Sequence, residues 1–161
     1  MAGHKKVDAP SELAFGSGGT RSRFVESPNL YAVHDWDEDA DDGHPILVLD
    51  DAAVFRGTPP GRDGRKQGPV YEVQPGGTPA VPTGRVFVRF TSSVDAGLRE
   101  EALRQAGYRI VKKMPWAPSA AWVEALSGDV AESLRNLENL NRIEDVENVE
   151  PQMLMPAAAR V

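Results

Sequence analysis

Arg85-Val86-Phe87-Val88-Arg89-Phe90 alternates along the chain, with Val86, Val88 and Phe90 on one side and Arg85, Phe87 and Arg89 on the other. Side chains of a strand point to opposite faces in turn, so this stretch predicts a half-buried strand. Ser93 follows as an N-cap hydroxyl, and Val94, Leu98, Ala102 and Leu103 recur at helical spacing up to Gly107, where positive φ can end a helix. Tyr108-Arg109-Ile110-Val111-Lys112 reads as a second strand. Pro115 and Pro118 bracket the link to a third, Ala120-Ala121-Trp122-Val123-Glu124-Ala125. Asp129 can cap a second helix that keeps Val130, Leu134, Leu137 and Leu140 on one stripe, and Val146-Glu147-Asn148-Val149-Glu150 closes as a fourth strand.

The predicted order is βαββαβ. Two helices on one face of a four-stranded antiparallel sheet form a ferredoxin-like α+β arrangement, which residues 84–161 are long enough to build. Outward from this block the composition changes. Twelve of the 15 glycines and nine of the 13 prolines fall at or before Gly84. Residues 57–83, with Pro59-Pro60 and Gly76-Gly77, are expected to be a linker, with one short extended piece at Val70-Tyr71-Glu72-Val73. Residues 1–56 are expected to be a mostly disordered arm: the Gly16-Ser17-Gly18-Gly19 run buries little, and Ile46-Leu47-Val48-Leu49 is the one strand-like segment. That segment either adds to an edge of the C-terminal sheet or meets a partner.

A net charge of −6 argues against nucleic-acid and anionic-membrane partners, since phosphate binding needs clustered Lys and Arg. The acidity belongs to residues 1–83, with 8 basic and 13 acidic side chains against 10 and 11 in residues 84–161. There is no cysteine, so disulfides, Cys-ligated zinc and thiol catalysis are excluded. No apolar run reaches the length of a membrane span and no secretory signal is visible, which makes a cytoplasmic location the expectation.

Catalysis is not expected. The three histidines, His4, His34 and His44, all lie in the Gly/Pro-rich half, away from any nucleophile pattern. Aligned to a calcium loop, Asp37-Glu38-Asp39-Ala40-Asp41-Asp42-Gly43 puts its glycine one position late and Val48 where a bidentate Glu belongs, so a solvated acidic run is the better reading and neither metal nor cofactor is expected. Phe87 and Trp122 could stack RNA bases on the central strands of such a sheet, but the basic-Gly-aromatic signature of those modules is absent. Core or interface aromatics fit the two better.

The run Leu134 to Pro151, Leu-Arg-Asn-Leu-Glu-Asn-Leu-Asn-Arg-Ile-Glu-Asp-Val-Glu-Asn-Val-Glu-Pro, resembles the end of subtilisin-family propeptides, where a helix leads through an acidic turn into a Val-Glu-x-Val-Glu strand. The opening strand at Val86–Phe90, the Gly-initiated second strand at Gly107–Val111 and the third at Ala120–Val123 agree with that family in order, so the resemblance covers about half of the chain. It implies a non-catalytic protein inhibitor, with a folding role besides, of a subtilisin-like serine protease bound about one to one. Such a propeptide lays the outer face of its sheet on the enzyme, and its fourth-strand acids cap exposed helix N-termini, which carry unpaired N–H groups and partial positive charge. Its tail enters the substrate cleft.

Glu150 matches the first capping position. Gln152 stands where the family commonly has a second acid. Because substrate pairing uses the amides of the P1 and P3 residues and Pro156 has none, the implied register is Leu154 at P4, Met155 at P3, Pro156 at P2 and Ala157 at P1. With ten residues after Pro151, the protein is expected to act in trans on a separate protease. The alternative is a non-inhibitory regulatory or adaptor domain of the same topology.

Overall fold

The computed structural model describes residues 9–15, 22–37, 39, 43–59 and 66–156. Its organising element is β6 (Thr78–Phe90), a 13-residue strand that joins the N-terminal and C-terminal parts of one sheet. Its first residues pair with β5 (Gln67–Gln74), Tyr71 opposite Ala80 and Val73 opposite Thr78. Arg85 to Arg89 then pair antiparallel with β8 (Ala117–Ala125), whose other edge carries β7 (Tyr108–Met114). Along its opposite edge β6 pairs with β9 (Val146–Leu154), from Val81 opposite Leu154 to Phe90 opposite Val146.

Residues before β5 supply four more strands. β2 (Ser22–Val33) lies between β5 and β4 (Ala52–Arg56) and also carries β1 (Glu12–Phe15), while β3 (Leu47–Leu49) pairs with β4. The path is β3-β4-β2-β5-β6-β8-β7, with β1 attached to β2 and β9 to β6. Helix is scarce: a 3-10 turn at Ala96–Arg99, α1 (Glu100–Gln105), α2 (Val130–Arg135) and α3 (Leu137–Asn141).

The chain is therefore mostly antiparallel β, a curled half-barrel sheet with few helices. This overturns the expected ferredoxin-like βαββαβ fold with an irregular N-terminal arm. The arm supplies β1 to β4, and the expected linker supplies β5 and the start of β6, so the C-terminal strands are one end of a larger sheet. Of the prolines that argued for a linker, Pro82 stands at a register shift, Pro75 in the β5–β6 turn and Pro79 near the start of β6, where a strand tolerates them, while Pro69 lies within β5 opposite Tyr31. The Gly16–Gly19 run lies outside the described residues.

Gly84 shows why β6 can serve both parts of the sheet. It adopts φ +94°, and a Cβ there would meet Val130 Cγ2 at 3.3 Å, so only glycine lets α2 approach the kink. Ser133 Oγ closes the contact by donating to the Gly84 carbonyl at 2.7 Å. Asp129 caps α2 as expected, accepting from Glu132 N at 3.3 Å. The first helical segment starts later than expected: Asp95, rather than Ser93, caps it by accepting from Gly97 N at 2.7 Å.

Three buried clusters hold the sheet. Val86, Val88, Phe90, Leu103, Ala121, Val123 and Leu140 fill the space between the C-terminal strands and the helices. Ala32, Leu49, Val54, Val70, Val81 and Leu154 form a second cluster, and Leu13, Phe24, Tyr71, Val130 and Leu134 a third. Tyr108 donates to the Ser133 carbonyl and Tyr71 to the Pro10 carbonyl. Burial raises both phenols well above the ordinary tyrosine range, so each remains a protonated donor. Among the described residues no helix is long and apolar enough to cross a membrane.

Candidate functional site

The helices cover only one face of the C-terminal strands. Alternation sends Val86, Val88 and Phe90 of β6 and Ala121 and Val123 of β8 into the helix-covered core, so their neighbours must point to the other side. Register then fixes which of those neighbours meet, because directly paired residues share a face. Phe87 is paired with Glu150 on one edge and with Trp122 on the other, and Trp122 is paired in turn with Lys112 of β7. One row across four strands thus reads Glu150, Phe87, Trp122, Lys112. The next row holds Arg85, Glu124 and Arg109.

The two rings meet edge to face, with centroids 5.3 Å apart at 66°. Both are half-buried. Arg109 clamps Glu124 through Nε at 3.1 Å and through Nη2, and Arg89, opposite Asn148, lies 3.8 Å from Glu147. An aromatic pair ringed by charges of both signs has the anatomy of a protein-docking surface, with a partly apolar centre and a polar rim. It suits RNA poorly. Rings packed edge to face do not offer two parallel platforms, and Glu124 and Glu150 would face a phosphate backbone.

The expected site residues are separated by the fold. Glu150 is on the open face, half-buried beside Phe87. Gln152 is not free to dock, because its Oε1 accepts from Thr83 Oγ1 at 2.9 Å, and Thr83 Oγ1 accepts in turn from Arg85 N at 3.1 Å. Leu154 is 9% exposed and sits in the second cluster with Val54, Val70 and Val81. Met155 packs on the third cluster, and Pro156 is half-buried. Ala157 lies outside the described residues.

The sequence marked Phe87 and Trp122 as core or interface aromatics but did not mark Lys112 or the Arg109–Glu124 pair beside them. The alternation of β6 was the available signal for Phe87; the row itself needs the register. Among the described residues no cluster of three or more His, Asp or Glu could hold a metal, and the Asp37–Gly43 alignment falls partly outside them.

No protein-family model matches the chain, and neither a curated protein nor a solved structure matches it.

Proposed function

We propose that the chain is a protein inhibitor of a subtilisin-like serine protease, acting in trans by laying the open face of β9, β6, β8 and β7 on the enzyme. The observation that carries this reading is the row Glu150, Phe87, Trp122, Lys112: the residue that the propeptide resemblance singles out stands beside the half-buried aromatic pair. Burying those rings supplies the apolar contact. The Glu150 carboxylate supplies charge-assisted hydrogen bonds to unpaired N–H groups of a partner helix, worth roughly 1.5 to 3 kcal/mol when well formed.

The burial of Leu154 revises the cleft register. A side chain packed against Val54, Val70 and Val81 can fill an enzyme pocket only by leaving its own core, so cleft contacts start after Leu154. The same burial favours a second reading, docking that leaves the cleft open.

Titration of a subtilisin-type protease with the full chain, read by hydrolysis of a small peptide substrate and by complex formation on a sizing column, separates these. Inhibition is expected to saturate near one to one, and Trp122→Ala and Glu150→Ala should each weaken it by at least about tenfold, the equivalent of 1.4 kcal/mol. A complex that still hydrolyses the peptide supports docking without inhibition. No complex, or equal binding by both variants, overturns the assignment to this face.

A further inference from the structure

His34 follows β2 at the point where the N-terminal strands meet α2. Its backbone N donates to the Lys66 carbonyl at 2.8 Å, which fixes the residue in the seam. The residue is 8% exposed, and Nε2 is buried with no hydrogen-bond partner among the described residues. The surroundings explain how tightly it is held. A Cβ at Gly68 would lie 3.2 Å from His34 Nε2 and 3.4 Å from Val130 Cβ, so ring, strand and helix meet at that glycine.

Val130, fully buried, is the first residue of α2 and packs between Gly68 of β5 and Gly84 of β6. Behind it Leu134 packs with Leu13, Phe24 and Tyr71. His34 is therefore one wall of the socket that holds the first turn of the helix.

We infer that His34 is an acid-sensitive latch: adding a proton to its buried ring opens the socket between β5 and β6 and releases the first turn of α2. A neutral ring tolerates an unpaired nitrogen at modest cost, but an imidazolium puts charge on a nitrogen that is buried beside Gly68 with no partner among the described residues. The charged groups around the ring are Lys66, which opposes the added charge, and Asp51 and Asp35, which favour it, while α2 presents the apolar Val130.

Burial first, and Lys66 second, hold the His34 pKa below its ordinary value, against the pull of Asp51 and Asp35. The sign follows from linkage. An opened state in which His34 titrates normally, near pH 6.5, binds more protons than the closed state, so the closed state has its full stability above about pH 6.5 and loses it as the pH falls toward the depressed value. In that window the opening equilibrium rises by up to about tenfold per pH unit.

The test uses the full chain, with NMR titration of the histidine rings and amide hydrogen exchange between pH 5 and 8, comparing wild type with His34→Leu. His34 is expected to titrate below 6.5. After correction for intrinsic exchange, opening at residues 130–134 should increase toward acid in wild type and stay flat in His34→Leu. A His34 pKa at or above 6.5, or the same acid response in both proteins, overturns the latch. Should His34→Leu fail to fold, the wild-type titration and exchange decide alone: a low pKa with acid-dependent opening confined to this seam supports it, and uniform or pH-independent opening overturns it.

Discussion

The two faces of β6 and β8 are built from the same strands and behave as different materials. On the covered face Val86, Val88, Phe90, Ala121 and Val123 meet the helices, and all five are fully buried. On the open face Phe87 and Trp122 keep only part of their surface in water, and their charged neighbours Arg85 and Arg89 are exposed. Apolar area removed from water stabilises by roughly 25 cal/mol per Å², so the covered face carries most of the folding energy. The open aromatics keep some apolar area that further contact could still bury. A period of two therefore sets the two faces apart at every step along the strand.

The sharpest way to break this division is to truncate one aromatic from each face. Phe90→Ala leaves a cavity in the buried cluster and should cost about 3–5 kcal/mol, enough to unfold a marginal domain. Trp122→Ala should cost under about 1.5 kcal/mol of stability, because its ring already touches water and loses mainly the contact with Phe87. Urea unfolding of the two variants measures the contrast. Equal losses would mean that the open face is structural and has nothing in reserve for a partner.

Leu154 carries the comparison to the end of β9. The sequence placed it in an enzyme pocket; the structure puts it opposite Val81 in the cluster of the N-terminal strands. Leu154→Ala should then lower stability by about 2–4 kcal/mol with no protease present. A variant with wild-type stability but weakened inhibition would return Leu154 to the cleft, and the packing against Val54 and Val70 would have to give way on binding.

What the sequence made legible was local. The alternation of Val86, Val88 and Phe90, the Asp129 cap and the turn at Gly107, with φ +100°, each declare themselves within a few residues. β1 to β5 do not. The pairing of β2 with β5 breaks between Glu26 and Tyr31, where Pro28 interrupts the pattern, and its partners lie tens of residues away. Glycines near β5 and β6 read as flexibility, yet Gly68 leaves space for the ring of His34 and Gly84 carries a positive φ beside Val130. They mark close approach.

The site was half legible for a related reason. Glu150 was named by resemblance, but its neighbours depend on registers that shift by a residue in the β7–β8 hairpin and again along β6 and β9. The packing of Leu154 was not legible because β6 continues past Gly84 to Thr78, giving β9 something to pair with as far as Leu154.

The smallest expected effect concerns the rim of the open face, where Arg109 holds Glu124. The two side chains are unequal, with Arg109 54% exposed and Glu124 19%, so the pair is neither a free surface bridge nor a buried one. Glu124 also stands opposite Arg85 in the register, which gives the carboxylate a second cation to lean on when Arg109 is removed. Both features reduce the coupling. A double-mutant cycle of Arg109→Ala and Glu124→Ala should return a coupling of about 0.2–1 kcal/mol, smaller at high salt because water and ions reach the guanidinium. The same cycle measured on protease binding should give a larger value, since docking on this face would remove that water and strengthen each charge contact. Equal coupling in the free chain and in the complex would mean that the second row stays in solvent, and the docking surface would shrink to the row of Glu150, Phe87, Trp122 and Lys112.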